Sequence, residues 1–175
     1  MEDDLLALPT RRLLYDVVRR FPGIGAREVQ RRAGTGWGET VYHLDRLTQA
    51  SLVHRERSGH QDHYFVAVVP LADRGLLRVT RSPSARKLLL ALLEKANRTV
   101  PDLTERTGLS AGRVSVHLSR LLELGILRTG RSDRFRTFEV EDRDRVVRLL
   151  VTYREGLADE WVERLLATWS EVLRT

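Results

Sequence analysis

A mainly α chain with small β-hairpins (α+β), built as two copies of one unit followed by a helical region, is predicted by three observations. The first is an internal repeat: displaced by 74 residues, the sequence falls on itself without a gap from Arg12 to Val66. The second is an apolar periodicity that changes, within each copy, from steps of three and four to alternation. The third is a polar, glycine-containing tip between alternating runs, Ser58-Gly59 in the first copy.

The repeat is dense. Arg12, Leu14 and Val18 fall on Arg86, Leu88 and Leu92; Glu28-Val29 falls on Asp102-Leu103, and Gly34 on Gly108. His43-Leu44, Arg46-Leu47 and Leu52-Val53 fall on His117-Leu118, Arg120-Leu121 and Ile126-Leu127, and Arg57-Ser58 on Arg131-Ser132. These pairs divide the chain into an acidic segment at 1–9, a first unit at 10–69, a connection at 70–81, a second unit at 82–140 and a helical region at 141–175.

In the first unit Thr10 is expected to cap a helix through Arg20 with Leu13, Leu14, Val17 and Val18 inward, broken by Phe21-Pro22-Gly23-Ile24-Gly25. A short helix follows from Ala26 to Ala33. The stretch GTGWG turns into a third helix, Glu39 to Ala50, with Val41, Leu44 and Leu47 on its core side. A hairpin then runs from Leu52 through a tip at Glu56 to Asp62 and back along Tyr64 to Val69. In the second unit Ser82-Pro83 reads as a cap and first-turn proline. Helices are expected near 84–96, 100–107 and 111–124, with a hairpin from Ile126 to Val140. The connection is apolar, with Pro70 and Gly75, and so is expected to be packed.

Charge is unevenly placed. Of the 30 basic residues only Lys87 and Lys95 are lysine, and the net charge is +6. Residues 10–81 carry 13 basic against 7 acidic side chains and residues 82–140 carry 11 against 6, whereas 1–9 and 141–175 are net acidic. Basic blocks suit a polyanion, whose phosphates dominate affinity through counterion release. No cysteine is present, which removes disulfides, thiolate nucleophiles and zinc-cysteine sites. The chain has no glycine-rich phosphate loop followed by Lys-Ser/Thr and no HExxH, so neither an enzyme nor a cofactor is expected. His54, His60 and His63 cluster in one hairpin, but strand alternation sends neighbours to opposite faces, and no metal site is expected. No apolar run approaches the roughly 20 residues that span a bilayer. MEDDLLALP is acidic where a signal peptide would be basic, so a soluble, cytoplasmic protein is expected.

The stretch Ser110 to Leu127 has two faces with different jobs. Val114, Leu118, Leu121 and Leu122 line one side of a helix, and Arg113, His117 and Arg120 the other. Entered through Ser110 and left through Gly125, it has what a helix lying in a DNA groove requires.

GTGWGETVYHLDRLTQASLVHRERSGHQDHYF and TGLSAGRVSVHLSRLLELGILRTGRSDRFRTFEV resemble, once per copy across residues 10 to 140, the winged helix-turn-helix transcriptional regulators of the ArsR/MarR-like kind found in archaea and bacteria. The resemblance implies two tandem winged-helix domains that bind double-stranded DNA, the third helix entering the major groove and the hairpin, or wing, touching flanking backbone or minor groove. It implies as groove-facing residues Trp37, Glu39, Tyr42, His43 and Arg46 in the first copy, and Ser110, Arg113, Val116, His117 and Arg120 in the second. Wing candidates are Arg55, Arg57 and His60, then Arg128, Arg131, Arg134 and Arg136. Arg113, able to pair bidentately with guanine, stands where the first copy has Glu39, so the second copy is expected to be the stronger DNA contact.

Single residues keep a second reading. His43 and His117 each sit beside a core leucine and suit a structural hydrogen bond as well as a DNA contact. Trp37 either stacks on a sugar or base or wedges against the preceding turn, the latter preferred. In the tail, Val146, Leu150, Tyr153, Leu157, Trp161, Leu165, Trp169 and Val172 recur at steps of three and four, predicting one long helix, or a pair broken at Gly156. Such a stripe, with aromatic anchors, is expected either to fold back onto its own domains or to pair with the same helix of a second chain, the homodimer preferred. A tandem winged-helix protein adaptor and a nucleoid-coating protein without sequence preference are the alternatives to a regulator.

Overall fold

The computed structural model describes residues 5–132 and 134–154. The chain divides into two compact units, one ending at Arg78 and the other beginning at Val79.

The first unit opens with α1 (Pro9–Arg20). Its N-cap is Leu8 with Pro9 in the first turn, so Thr10 lies inside the helix rather than capping it; proline's fixed φ starts the helix early. Arg11, Leu14, Val17 and Val18 form the buried face, while Leu13, expected inward, is 44% exposed. It lies about 100° around the helix from Leu14, and Arg11 takes the inward place. Gly23 follows at φ +81°, its N–H donating to the carbonyl of Tyr64 at 2.8 Å. A Cβ there would lie 3.1 Å from the Arg78 Cα and 3.3 Å from the Phe65 ring. Strand β1 (Ile24–Gly25), α2 (Ala26–Ala33) and α3 (Trp37–Gln49) come next. Helix α3 starts two residues before the expected Glu39 and buries Thr40, His43, Leu44 and Leu47, with Val41 only half-buried. The Thr40 hydroxyl bonds to Thr35 Oγ1 at 2.7 Å and to the Gly36 carbonyl at 2.8 Å, which satisfies it in the core.

Strands β2 (Val53–Ser58) and β3 (Gln61–Val66) make the first wing, and the sheet order is β1-β3-β2. Only Gly59 and His60 lie between them, so the turn is tighter than the tip expected over Glu56 to Asp62. The stretch expected as a connection is instead a helix, α4 (Leu71–Val79), with Leu76 and Leu77 buried. Arg74 Nε donates to the Val69 carbonyl at 3.1 Å, and Arg74 and Arg78 reach the two oxygens of Glu56 at 3.0 and 3.7 Å. Burial of each of these leucines contributes about 1.5–3 kcal/mol.

The second unit repeats the plan in α5 (Pro83–Glu94), α6 (Val100–Thr107), α7 (Ala111–Glu123), β4 (Leu127–Ser132) and β5 (Phe135–Val140). Each of these spans lies 74 residues beyond its counterpart at both ends. Left-handed backbone recurs in the same frame: Gly23 and Asn97, Gly34 and Gly108, Ser51 and Gly125. The bridge Arg98–Phe138 repeats the pairing of Ile24 with Tyr64. Helix α5 is apolar through Leu88-Leu89-Leu90-Ala91-Leu92-Leu93 and buried nearly all round; Ser82 caps it by accepting from the Ala85 N–H. Thr99 and Asp102 form a reciprocal capping box on α6, which holds the Asp102 carboxyl below its ordinary pKa.

After the second wing, Asp142 caps α8 (Arg143–Thr152), whose Val146, Val147 and Leu150 are buried. Tyr153 is the C-cap, so the helix ends there rather than running on as one long element. The expected continuation through Gly156, Leu157, Trp161, Leu165, Trp169 and Val172 lies outside the described residues. Among the described residues no helix is long and apolar enough to cross a membrane.

Candidate nucleic-acid interface

In the second unit Val114, Leu118 and Leu121 anchor α7, and Leu122, expected with them, is half-buried. That leaves Arg113, Ser115, Val116, Ser119 and Arg120 facing solvent, Val116 at 68%. Ser110 Oγ accepts from the Arg113 N–H at 3.4 Å, so this hydroxyl is committed to capping. The Arg113 guanidinium turns back toward α5, its Nη2 donating to Ser84 Oγ at 3.2 Å. Arg120 pairs with Glu123 at 3.4 Å. His117 is half-buried, and burial, then the charge of Arg113, holds its pKa below the ordinary histidine value.

The second wing concentrates unbalanced charge. Across its strands Arg131 stands opposite Arg136, and Ser132 opposite the exposed Phe135. Like charges directly opposite destabilise a hairpin. Among the described residues no carboxylate pairs with Arg131, Arg134 or Arg136. With Thr129 and Gly130 these three arginines line an open concavity. Gly130 permits the strands to close beneath it, since a Cβ there would come within 2.9 Å of Thr137 Oγ1. Arg128 differs from the other three: Glu139 holds its Nε at 2.6 Å, and Glu141 lies at 3.7 Å.

In the first unit the wing arginines are answered by carboxylates, while on α3 the arginine matching Arg120 meets a neutral amide. Arg55 pairs with Asp45 at 3.4 Å and Arg57 with Asp62 at 3.6 Å, and Arg46 donates to Gln49 at 3.3 Å. Glu39 and Tyr42 are exposed on α3. Trp37 is 40% exposed, its ring covered on one side by the Arg27 guanidinium at 3.8 Å, a cation–π contact with the preceding helix. His43 is buried: Arg11 Nε donates to its Nδ1 at 3.4 Å, and burial, then Arg11, lower its pKa from the ordinary histidine value against the opposing pull of Glu39. That bond is the structural hydrogen bond that His43 was expected to suit as readily as a DNA contact. His60 is exposed at the first turn, and His63 bonds through Nδ1 to the Gly23 carbonyl at 2.8 Å. Among the described residues no group of His, Asp and Glu side chains is arranged to hold a metal.

Two residues of this surface escaped the sequence reading. Ser84 is one, 29 positions from the arginine it touches. Arg11 is the other, an arginine that reads as solvent-facing and is 7% exposed. The reversal of Asp62 to Arg136 was available by laying one copy on the other.

Residues 82–129 match the profile of the bacterial regulatory protein arsR family, and residues 9–77 that of an N-terminal HTH domain. An uncharacterized HTH-type transcriptional regulator of Methanocaldococcus jannaschii is 24% identical over 128 residues, 73% of this chain and 32% of that protein. The chain thus spans about a third of that relative's length. Among solved structures, Mycobacterium tuberculosis Rv0081 is 25% identical, with a TM-score of 0.39 over 48% of this chain and 83% of that one. A predicted DNA-binding transcriptional regulator from E. coli is 22% identical, with a TM-score of 0.37 over 43% of this chain and 78% of that one.

Proposed function

Starting from two helix-turn-helix domains in tandem, the second of the ArsR family, we propose that this chain is a DNA-binding transcriptional regulator whose second domain makes the stronger DNA contact. The observation that carries this reading is the second wing. Arg131 and Arg136 face each other, Arg134 stands beside them, and none has a carboxylate partner among the described residues. Such a cluster costs the free protein stability, and a phosphate backbone offsets that cost by replacing repulsion with charge-assisted hydrogen bonds. Arg113 and Arg120 on α7 extend the same basic surface onto the helix shaped for a major groove. A protein adaptor has no use for three wing arginines, Arg131, Arg134 and Arg136, without carboxylate partners among the described residues. The first domain, with its wing arginines Arg55 and Arg57 paired to carboxylates, reads a second half-site more weakly. Pairing of two chains through residues 141–175 belongs to the same proposal and is checked by light scattering.

The test is binding to a duplex from upstream of its own gene and to a random duplex, titrated across salt, with Arg113→Ala plus Arg120→Ala as control. A regulator gives a steep salt slope and a preference of at least about a thousandfold for the upstream duplex. Equal affinities would identify a nucleoid-coating protein, and no binding at physiological salt would leave the adaptor.

A further inference from the structure

We propose that Ser84 is a positioning residue for Arg113, and that the two together hold a phosphate of the DNA backbone, so that Arg113 clamps the backbone rather than reading a base edge. This rests on the DNA-binding reading above. The major groove is about 12 Å wide and admits one helix. With α7 in the groove, α5 stays outside it, against the phosphate wall. A guanidinium held 3.2 Å from the hydroxyl of an α5 residue is drawn toward that wall and away from the groove floor.

The chemistry of the pair fits an anion. Arg113 gives one N–H to Ser84 and keeps the other donors of its fork. Ser84 Oγ, having accepted that bond, keeps its own O–H to donate. Beyond their mutual bond, the pair offers donors to an oxygen that can only accept, the pattern of charge-assisted phosphate recognition. Ser84 is not the cap of α5, because Ser82 fills that role, so the Ser84 hydroxyl is not needed to hold the helix. The first repeat has the same two positions filled by Thr10 and Glu39, so a carboxylate stands where the second has the guanidinium. That carboxylate repels phosphate.

The experiment compares wild type with Arg113→Ala, Ser84→Ala and Ser84→Thr on two duplexes, one selected from a random library by the wild-type protein and one of unselected sequence and equal length. Circular dichroism and urea unfolding of each variant confirm that the fold is retained. Arg113→Ala should weaken both duplexes alike, about tenfold, and lower the salt slope by about 0.9, as the loss of one phosphate contact requires. Ser84→Ala should weaken both in the same proportion by a smaller factor, and Ser84→Thr should restore wild-type binding. A loss confined to the selected duplex, with relaxed preference at one base pair, would make Arg113 a base reader and overturn the proposal. So would a Ser84→Ala protein that binds as wild type. Both results leave the DNA-binding reading intact, whereas a wild-type protein that binds neither duplex removes that reading and this proposal together.

Discussion

In the first hairpin Arg57 faces Asp62 across the strands, whereas in the second Arg131 faces Arg136; on the helices before them, Glu39 stands where Arg113 stands. Asp45, which holds Arg55, is replaced by Ser119. The two repeats otherwise share one frame, with the same helix and strand boundaries and the same left-handed turns. Buried leucines and turn residues fix the backbone, so both copies keep them. Exposed side chains constrain the backbone less, so the copies are free to differ there, and they differ in electrostatics. One fold thus supports one wing whose Arg55 and Arg57 meet carboxylates and another whose Arg131, Arg134 and Arg136 meet none among the described residues.

The largest effect should come from removing the unanswered charge. Arg131→Ala with Arg134→Ala and Arg136→Ala is expected to weaken duplex binding roughly 100-fold near physiological salt and to reduce the salt slope by about 2.7, three phosphates at about 0.9 each. Arg55→Ala with Arg57→Ala should cost far less, because Asp45 and Asp62 already neutralise those arginines. Anisotropy titrations across salt measure both.

Next comes a change that separates the two backbones at a shared position. Gly23→Ala should destabilise the first unit by about 2 kcal/mol in urea unfolding, combining a positive φ with a Cβ pressed on α4. Asn97 already accepts left-handed backbone at the matching position, so Asn97→Gly should change the second unit by less than about 1 kcal/mol.

A smaller effect tests the comparison by transplant. Asp62→Arg gives the first wing the cross-strand pair of the second and should tighten duplex binding about fivefold, as one added phosphate contact allows.

The smallest is pH. Burial first, then Arg11 and Arg113 respectively, lower the pKa values of His43 and His117 below 6.5. The unfolded chain therefore binds more protons than the folded one below about that pH. Stability should be full above pH 6.5 and decline as pH falls through it toward the lowered values. His43→Gln should flatten that decline in thermal melts, and an unchanged pH profile would contradict it.

Much of this fold is legible in the sequence because the repeat states each element twice. Leucines at three- and four-residue steps, Ser82-Pro83 and Gly125 mark helices that form nearly where expected. What escapes depends on contacts between distant residues. Pro70 and Gly75 read as a connection, yet Arg74 and Arg78 find Glu56 and the segment becomes α4. Leu13 and Arg11 exchange the places their chemistry suggests, because a helix face turns about 100° per residue and Arg11 meets His43 inside. The charge asymmetry was readable from the repeat alone. The direction of Arg113 was not, since Ser84 lies 29 positions away.

The most direct test of the account is a salt-titrated comparison of Arg113→Ala plus Arg131→Ala, in the second domain, with Arg46→Ala plus Arg57→Ala at the matching surface of the first. A loss at least about tenfold larger in the first variant, with a salt slope lower by nearly two, is the predicted result. A larger loss in the second variant would contradict it and make the first domain the principal reader.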